Sequence, residues 1–176
     1  MSPRAAWRLE SLGFREVYDY ATGKQNWLAS GLPMEGRLAS IPTAGSVARE
    51  DVVTASLEER LGDVRERVER SDFDTAVVVN EEGIVLGILR PKHLEGHNDR
   101  RIEEAMSPGP STFRPHVLIH QMAHYMHEHD LPSTPVTTGD GRLIGLLLRE
   151  DAAREAEELQ RRLGAHELHE LESEDE

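Results

Sequence analysis

The chain has 176 residues, 38% of them hydrophobic, which is enough for one or two compact units with a core. Its 33 acidic and 20 basic residues give a net charge of −13 at pH 7, so general binding to nucleic acid or to an anionic membrane surface is not expected. The absence of cysteine excludes disulfides, thiolate zinc sites and cysteine nucleophiles, and the lack of a long apolar run or signal-peptide stretch predicts a cytoplasmic protein without membrane spans.

The first predicted unit, residues 1–36, is rich in aromatic residues and has the pattern helix, strand, helix. Apolar spacing predicts a helix that ends at Gly13, a short strand over 14–20 and a second helix over 24–30. One strand cannot satisfy its own backbone groups, so this unit is expected to pack on another part of the protein. Residues 37–50, with proline, glycine and small polar residues, are interpreted as a linker.

An internal repeat begins at residue 51 and separates a first copy, 51–106, from a second copy, 107–154. A shift of 58 positions aligns the apolar pattern and several identical residues, namely Thr54 with Thr112, Asp72 with Asp130, Val78 with Val136, Gly83 with Gly141, Gly87 with Gly145 and Leu89 with Leu147. Each copy predicts strand, helix, strand, turn, strand and helix. A unit of about 55 residues buries too little surface alone, so the two copies are predicted to pack as a pseudo-twofold pair of α/β (α+β) class.

The order of these elements, together with the hairpin at 141–151, resembles the cystathionine β-synthase (CBS) domain, which occurs in tandem pairs. The resemblance implies a non-enzymatic regulatory protein that binds an adenosine compound, such as AMP, ATP or S-adenosylmethionine, in the cleft between the copies. Asp151 occupies the position of the family's aspartate, whose carboxylate can accept hydrogen bonds from both ribose hydroxyls. Leu148 stands where the family has threonine, and the first copy has Arg90 and His93 at the two equivalent positions.

The resemblance also implies ligand contacts at the beginnings of the strands and at cations near the cleft. The candidate ligand-binding residues are Asp151, Thr112, Ser133, Thr134, Arg149, Thr54, Asp74, Thr75, Arg90, Lys92 and His93. Helix capping is the structural alternative for Asp151, and a solvated surface is the alternative for the cations. The departures from the family pattern favour an alternative function, a dimerisation or protein-interaction module that has lost nucleotide binding. The sequence has no carboxylate pair, no serine and histidine arrangement and no phosphate loop at a spacing that would suggest an enzyme.

Four histidines, His116, His120, His124 and His127, recur at helical spacing in the second copy and are predicted to share one helix face. Pairs of histidines four residues apart can chelate Zn²⁺ or Ni²⁺, and their titration near pH ~6.5 can produce repulsion, so a metal- or pH-responsive module is a further alternative. An exposed polar face is the simpler interpretation, because no carboxylate completes a ligand set. CBS pairs often dimerise through these helices, so a homodimer is expected.

Residues 4–33 resemble the end of a rhodanese domain, in which a helix and a strand precede a closing motif of spaced glycine, tryptophan, glycine and proline residues. In this sequence the motif runs from Gly23 to Pro33. The catalytic cysteine of that family has no counterpart, so the segment is interpreted as a remnant used for packing. Its expected buried anchors are Trp7, Phe14, Tyr18 and Trp27. At the other end, residues 155–176 predict a helix that gives way from Gly164 to a disordered acidic tail.

Overall fold

The computed structural model describes residues 3–18, 27–28, 32 and 37–173. Before the first copy lie α1 (Pro3–Ser11), a 3₁₀ turn (Arg37–Ser40) and α2 (Ala44–Val47). The remaining elements are β1 (Val53–Ala55), α3 (Leu61–Glu69), β2 (Ala76–Val79), β3 (Val85–Leu89), α4 (Pro91–Leu94), α5 (Ile102–Ala105), β4 (Ser107–Pro108), α6 (Ile119–Glu128), β5 (Ser133–Thr137), β6 (Leu143–Leu148) and α7 (Arg149–Ser173).

Both hairpins that the sequence predicts are present. Strand β2 pairs antiparallel with β3, and β5 pairs antiparallel with β6. The turns contain Gly83 with φ of 78° and Gly141 with φ of 89°, left-handed conformations that glycine adopts without a Cβ clash. Each hairpin also has an irregularity in register at the equivalent place, after Val78 and after Val136. The local sequence signals therefore specify the hairpins correctly.

The strand pairings repeat with the offset of the sequence repeat, which confirms the pseudosymmetric pair. The pairing of Ala55 with Val78 corresponds to that of Phe113 with Val136, and the pairing of Ile88 with Ser107 corresponds to that of Leu146 with Arg49. The pairing of Arg60 with Arg101 corresponds to that of Leu118 with Thr43. Ile84 pairs with Arg142, which is its own equivalent in the other copy. The pseudo-twofold axis therefore passes between the two hairpins.

Each copy is completed by a segment that precedes the other copy in the chain. Helix α2 packs on β6, α6 and α7, and Ile41 and Ala44 are buried in the core of the second copy. Helix α5 precedes the second copy but places Ile102 and Ala105 in the core of the first. Residues 41–49, inside the range interpreted as a linker, thus supply buried side chains to the second copy.

A third cluster of buried residues joins the two copies. It contains Val52, Phe73 and Val77 from the first copy and Leu146 from the second. Burying a side chain of this size contributes about 1.5–3 kcal/mol relative to its exposed state, so this contact is a substantial part of what holds the pair together. The ends of the strands from both copies consequently meet around the same clefts.

Three of the four aromatic residues predicted as buried anchors of the N-terminal unit are exposed, whereas the fourth, Trp27, is half-buried. Trp7, Phe14 and Tyr18 expose 68%, 60% and 79% of their surface. The prediction of a strand over 14–20 is also wrong for 14–18, since no neighbouring strand among the described residues offers its backbone as a partner. Residues 27–28 are helical, whereas the rest of the predicted second helix over 24–30 lies outside the described residues.

The C-terminal helix is longer than the sequence suggested. Helix α7 continues through Gly164 to Ser173, where a disordered tail was expected. This stretch is rich in glutamate and leucine, which are strong helix formers. Within the part of the chain that the structure describes, no helix combines the length and apolar character needed to cross a membrane.

The close approach of segments at two equivalent glycines generates a prediction about stability. A Cβ at Gly145 would lie 2.7 Å from the carbonyl oxygen of Arg49, whereas at Gly87 it would lie 2.3 Å from the Sδ of Met106. A flexible methionine can move aside, but a paired backbone cannot. We therefore expect Gly145→Ala to destabilise the protein by about 1–3 kcal/mol, and more than Gly87→Ala. Urea unfolding followed by circular dichroism measures both, and the reverse order would contradict the packing described.

Candidate functional site

Two clefts lie on either side of the beginning of α7. The inter-copy cleft has a volume of about 400 Å³ and is lined by Asp72, Phe73, Asp74, Pro132, Ser133, Leu148, Arg149 and Glu150. The N-terminal cleft, about 580 Å³, lies between residues 39–49 and α7 and has Arg49, Asp151 and Arg154 on its walls. Both volumes fall within the range of small-molecule sites, about 300–1,000 Å³.

Asp151 lies in the first turn of α7 with its side chain only 3% exposed. The Nε of Arg49 donates a hydrogen bond of 2.7 Å to Oδ2, and an Nη of Arg154 lies 2.7 Å from Oδ1. The hydrogen bond from Arg49 lowers the pKa of Asp151 despite the opposing effect of burial, and Arg154 lowers this pKa further. Asp151 is the third residue of α7, which begins at Arg149, so it is not the N-cap of this helix. Its ionised carboxylate is balanced by two guanidinium groups.

Arg49 connects Asp151 to the inter-copy cleft. Its backbone N–H and C=O both pair with Leu146, at 3.0 and 2.9 Å, so its main chain is held against β6. Its guanidinium carbon lies 5.9 Å from the centroid of Phe73, a residue of the inter-copy cleft. An Nη of Arg49 is also 3.9 Å from the carboxylate of Glu150, another lining residue. The hydrogen bond to Asp151 raises the pKa of Arg49 against the opposing effect of burial, and the negative charges of Asp151, Glu150 and Asp51 raise it further, so the guanidinium stays charged.

The structure brings three of the predicted ligand-binding residues, Asp74, Ser133 and Arg149, together in the inter-copy cleft. The Oγ of Ser133 is buried and has no hydrogen-bond partner among the described residues, so it can bond to a ligand. An Nη of Arg149 donates a 2.7 Å hydrogen bond to Asp130. A cleft that offers an unpaired hydroxyl and a nearby buried carboxylate fits a polar organic ligand such as a nucleoside.

Several other predicted residues are engaged elsewhere. Thr75 donates to the carboxylate of Asp74 at 2.7 Å, and Thr134 donates to the carbonyl of Ser111 at 3.1 Å, so both hydroxyls are used internally. Thr54 and Thr112 are exposed and line neither cleft.

The first copy has a different arrangement at the position equivalent to Asp151. His93 accepts a 3.0 Å hydrogen bond from the backbone N–H of Arg90 through Nδ1. Burial lowers the pKa of His93, and the positive charges of Lys92, Arg90 and Arg100 lower it further, so the ring is held neutral. The guanidinium of Arg90 reaches the carbonyl of Ser133 at 3.4 Å, whereas Lys92 is exposed. This half of the pair has a neutral ring where the other has a carboxylate.

The predicted histidine stripe is only partly on a helix. Helix α6 begins at Ile119, so His116 precedes it, and that part of the prediction is wrong. The reason is tertiary: the backbone around Leu118 is held by residues 42–44, with Ala44 donating to Val117 at 2.7 Å. His124 pairs with Glu128 at 3.5 Å, and His127 is exposed. Across the residues that the structure describes, no three histidine, aspartate or glutamate side chains converge as a metal site would require.

Sequence reasoning missed Arg49 and Arg154, the two partners of Asp151. A signal for Arg49 was present, because the apolar positions 44, 47 and 48 match 102, 105 and 106 at the same offset of 58. Extending the repeat backwards would have placed Arg49 inside it, beside the hairpin of the second copy. Arg154 follows Asp151 by three residues in a predicted helix, a spacing at which side chains meet.

Comparison with protein families gives a match to the model described as the CBS domain, at residues 44–95 and 102–158. The two matches begin 58 residues apart, which is the offset found in the sequence. Among curated proteins, the inosine-5′-monophosphate dehydrogenase of Halobacterium salinarum is 31% identical over 106 residues, which are 57% of this chain. The chain spans only 21% of that enzyme's length. The rhodanese resemblance of the N-terminal unit gains no support from these matches.

Solved structures show the same fold at low sequence identity. The cytosolic domain of the Mg²⁺ channel MgtE in complex with ATP has a TM-score of 0.60 and 23% identity, over 66% of this chain and 50% of that one. CBSX2 of Arabidopsis thaliana in complex with AMP has a TM-score of 0.60 and 19% identity, over 68% and 98%. The pair of protein MJ0100 with 5′-methylthioadenosine and S-adenosylmethionine has a TM-score of 0.58 and 20% identity, over 65% and 94%.

The buried ion pair predicts a specific dependence of stability on pH. Because the pKa of Asp151 is lower in the folded than in the unfolded state, its contribution is complete above pH ~5 and is lost as the pH falls through the folded pKa. We expect Asp151→Asn to cost about 1–3 kcal/mol at pH 7, below the range for fully buried pairs because both arginines are partly exposed. The difference from the wild type should shrink below pH ~4.

Urea unfolding between pH 3 and 8 tests this expectation, with Asp140→Asn as the matched control. Asp140 is an exposed carboxylate in the β5–β6 turn that pairs with Arg142, and such pairs contribute little. A stability difference for Asp151→Asn that does not change with pH would show that the ion pair with Arg49 does not contribute as inferred.

Proposed function

The chain belongs to the CBS domain family, a tandem pair of which forms a regulatory module, and we propose that this pair binds an adenosine compound of the AMP, ATP or S-adenosylmethionine class in its inter-copy cleft. The observation that carries this proposal is the buried, ionised carboxylate of Asp151 beside a cleft that contains the unpaired hydroxyl of Ser133. Its solved structural neighbours include complexes with AMP, ATP and S-adenosylmethionine.

The groups in the inter-copy cleft, and Asp151 and Arg49 at its border with the N-terminal cleft, have roles that match their chemistry. Asp151 would accept hydrogen bonds from the ribose hydroxyls, the role for which a carboxylate is suited. Ser133 would donate to or accept from the base, and the ring of Phe73 offers an apolar face on which the base can pack. Arg49 and Arg149 supply the positive charge that a phosphate requires in a protein with a net charge of −13.

The proposed role is sensing and not catalysis. A ligand in this cleft contacts strand ends from both copies, so its binding would favour one relative arrangement of the copies and of residues 41–49. The matching part of the dehydrogenase relative is about a fifth of that enzyme. A homodimer and a protein partner that receives the signal remain part of this proposal.

The alternative is an interaction module that has lost nucleotide binding. What favours it is the first copy, where Arg90 and His93 replace the two family residues and bond to each other through the Arg90 backbone. Leu148 adds a departure in the second copy, because it removes a hydroxyl from the inter-copy cleft. Ligand binding measured directly decides between the two functions.

Isothermal titration calorimetry with AMP, ATP and S-adenosylmethionine tests the proposal. We expect saturable binding of at least one compound, weakened about tenfold or more in Asp151→Asn, because an amide cannot accept hydrogen bonds at both positions. Asp140→Asn, which makes the same chemical change far along the hairpin, should bind as the wild type does. No binding of any compound at millimolar concentration to folded protein would favour the interaction module.

A second variant keeps the test informative if Asp151→Asn is unstable. Leu148→Trp places a large uncharged side chain at a half-buried position of the inter-copy cleft. The added volume should block the cleft without supplying a positive charge that a phosphate could use, so binding should be lost. Binding that survives in Leu148→Trp would place the ligand outside the inter-copy cleft.

A further inference from the structure

We infer that Arg49 sets the ligand specificity of this site. Arg49 binds Asp151 until a ligand phosphate replaces that carboxylate as its partner, so nucleoside phosphates bind in preference to uncharged nucleosides. This inference rests on the proposed function, because it concerns the same carboxylate. It adds a residue outside the family signature and a ranking among adenosine compounds.

Both oxygens of Asp151 face a guanidinium before any ligand arrives, but among the described residues only Oδ2 accepts a hydrogen bond. The Nε of Arg49 donates this bond at 2.7 Å, whereas Arg154 forms an ion pair with Oδ1 at 2.7 Å that lacks hydrogen-bond geometry. Ribose hydroxyls that bond to both oxygens must therefore displace Arg49 from Oδ2. Both arginines line the N-terminal cleft, but Arg49 also reaches the inter-copy cleft, where its guanidinium carbon lies 5.9 Å from the centroid of Phe73. A ligand that enters the inter-copy cleft consequently meets Arg49 first.

Displacement of Arg49 from Asp151 costs more free energy for an uncharged nucleoside than for a nucleoside phosphate. A hydrogen bond between ions is about twice as strong as one between neutral groups, so a neutral hydroxyl is a weaker partner for Asp151 than a guanidinium. An uncharged nucleoside that displaces Arg49 leaves the guanidinium without its carboxylate. A nucleoside phosphate offers Arg49 a second anion, so the charged hydrogen bond is replaced and not lost.

The other charges of the inter-copy cleft make Arg49 necessary for this preference. Three lining residues, Asp72, Asp74 and Glu150, carry carboxylates that repel a phosphate. Arg149 is the cation among the described lining residues, and it is already paired with Asp130 at 2.7 Å. A phosphate in this cleft therefore depends on an additional positive charge, and Arg49 is adjacent.

Arg49 is also built to move without disturbing the fold. Its backbone N–H and C=O are both hydrogen-bonded to Leu146, whereas its side chain is 34% exposed and ends between the two clefts. When it turns away, Arg154 still neutralises Asp151. The rotation of one side chain is thus sufficient for the exchange.

The test compares the affinities of AMP and adenosine by isothermal titration calorimetry. For the wild type we expect AMP to bind at least about tenfold more tightly, the difference that one charged hydrogen bond supplies. In Arg49→Gln adenosine should bind more tightly than to the wild type and AMP more weakly, so that the preference falls to about twofold or less. Arg49→Lys, which retains the charge, should keep most of the preference. Arg70→Gln, at an exposed arginine that pairs with Glu66, is the matched control.

The outcomes separate this inference from the proposed function. If adenosine compounds bind and Arg49→Gln keeps the wild-type preference, the inference is wrong and the proposed function stands. If AMP, ATP and S-adenosylmethionine all fail to bind to the folded wild type, the proposed function itself fails. Should Arg49→Gln not fold, the ¹⁵N-labelled arginine side-chain signals of the wild type give the answer. Both ligands should shift the Arg49 Nε–H resonance by displacing it from Asp151, but only AMP, whose phosphate replaces the carboxylate, should leave it at a hydrogen-bonded position. The same final position with saturating AMP and saturating adenosine would overturn the inference.

Discussion

The contact between each hairpin and the segment that precedes the other copy is the constraint on which both the cores and the candidate site depend. At Gly145 the carbonyl oxygen of Arg49 comes within 2.7 Å of where a Cβ would lie, so only glycine permits the pairing of Arg49 with Leu146. That pairing seats α2 on the second core and directs the Arg49 side chain to Asp151. The equivalent contact at Gly87 brings α5 onto the first core. Neither copy is complete without the segment that precedes the other.

The two copies have equivalent backbone pairings but different side chains around the clefts. Pairings repeat with the offset of the repeat, whereas the side chains around the clefts differ between the copies. Where the second copy has a carboxylate at 151 and an unpaired hydroxyl at Ser133, the first has a neutral imidazole at 93 and the hydroxyl of Thr75 already bonded to Asp74. Backbone pairing tolerates such divergence because it does not involve the side chains. Under the proposed function, the second copy would consequently supply the polar contacts to the ligand.

The local charge around Asp151 differs from that of the whole molecule. With a net charge of −13, the protein repels anions at long range, and salt screens this repulsion beyond about 8 Å at physiological ionic strength. Within the site, Arg49 and Arg154 neutralise the buried carboxylate and leave positive groups at the edges of both clefts. The proposed recognition of an anionic ligand would therefore rest on short contacts with these arginines and not on the overall electrostatic field.

The sequence by itself determined the repeat, the two hairpins, their glycine turns and the resemblance to the CBS pair, because each depends on residues close together in the chain. Periodicity and turn chemistry are local signals. Only the tertiary structure decided that residues 41–49 belong to the second core, that His116 lies outside α6, and that Trp7, Phe14 and Tyr18 are exposed. The pairing of Asp151 with Arg49 was likewise decided by the tertiary structure, since Arg49 lies 102 residues away. Extending the repeat backwards would place Arg49 beside the second hairpin, but it would not show that its side chain bonds to Asp151. Contacts over such distances arise only when the two copies pack, and their packing is what assembles the site.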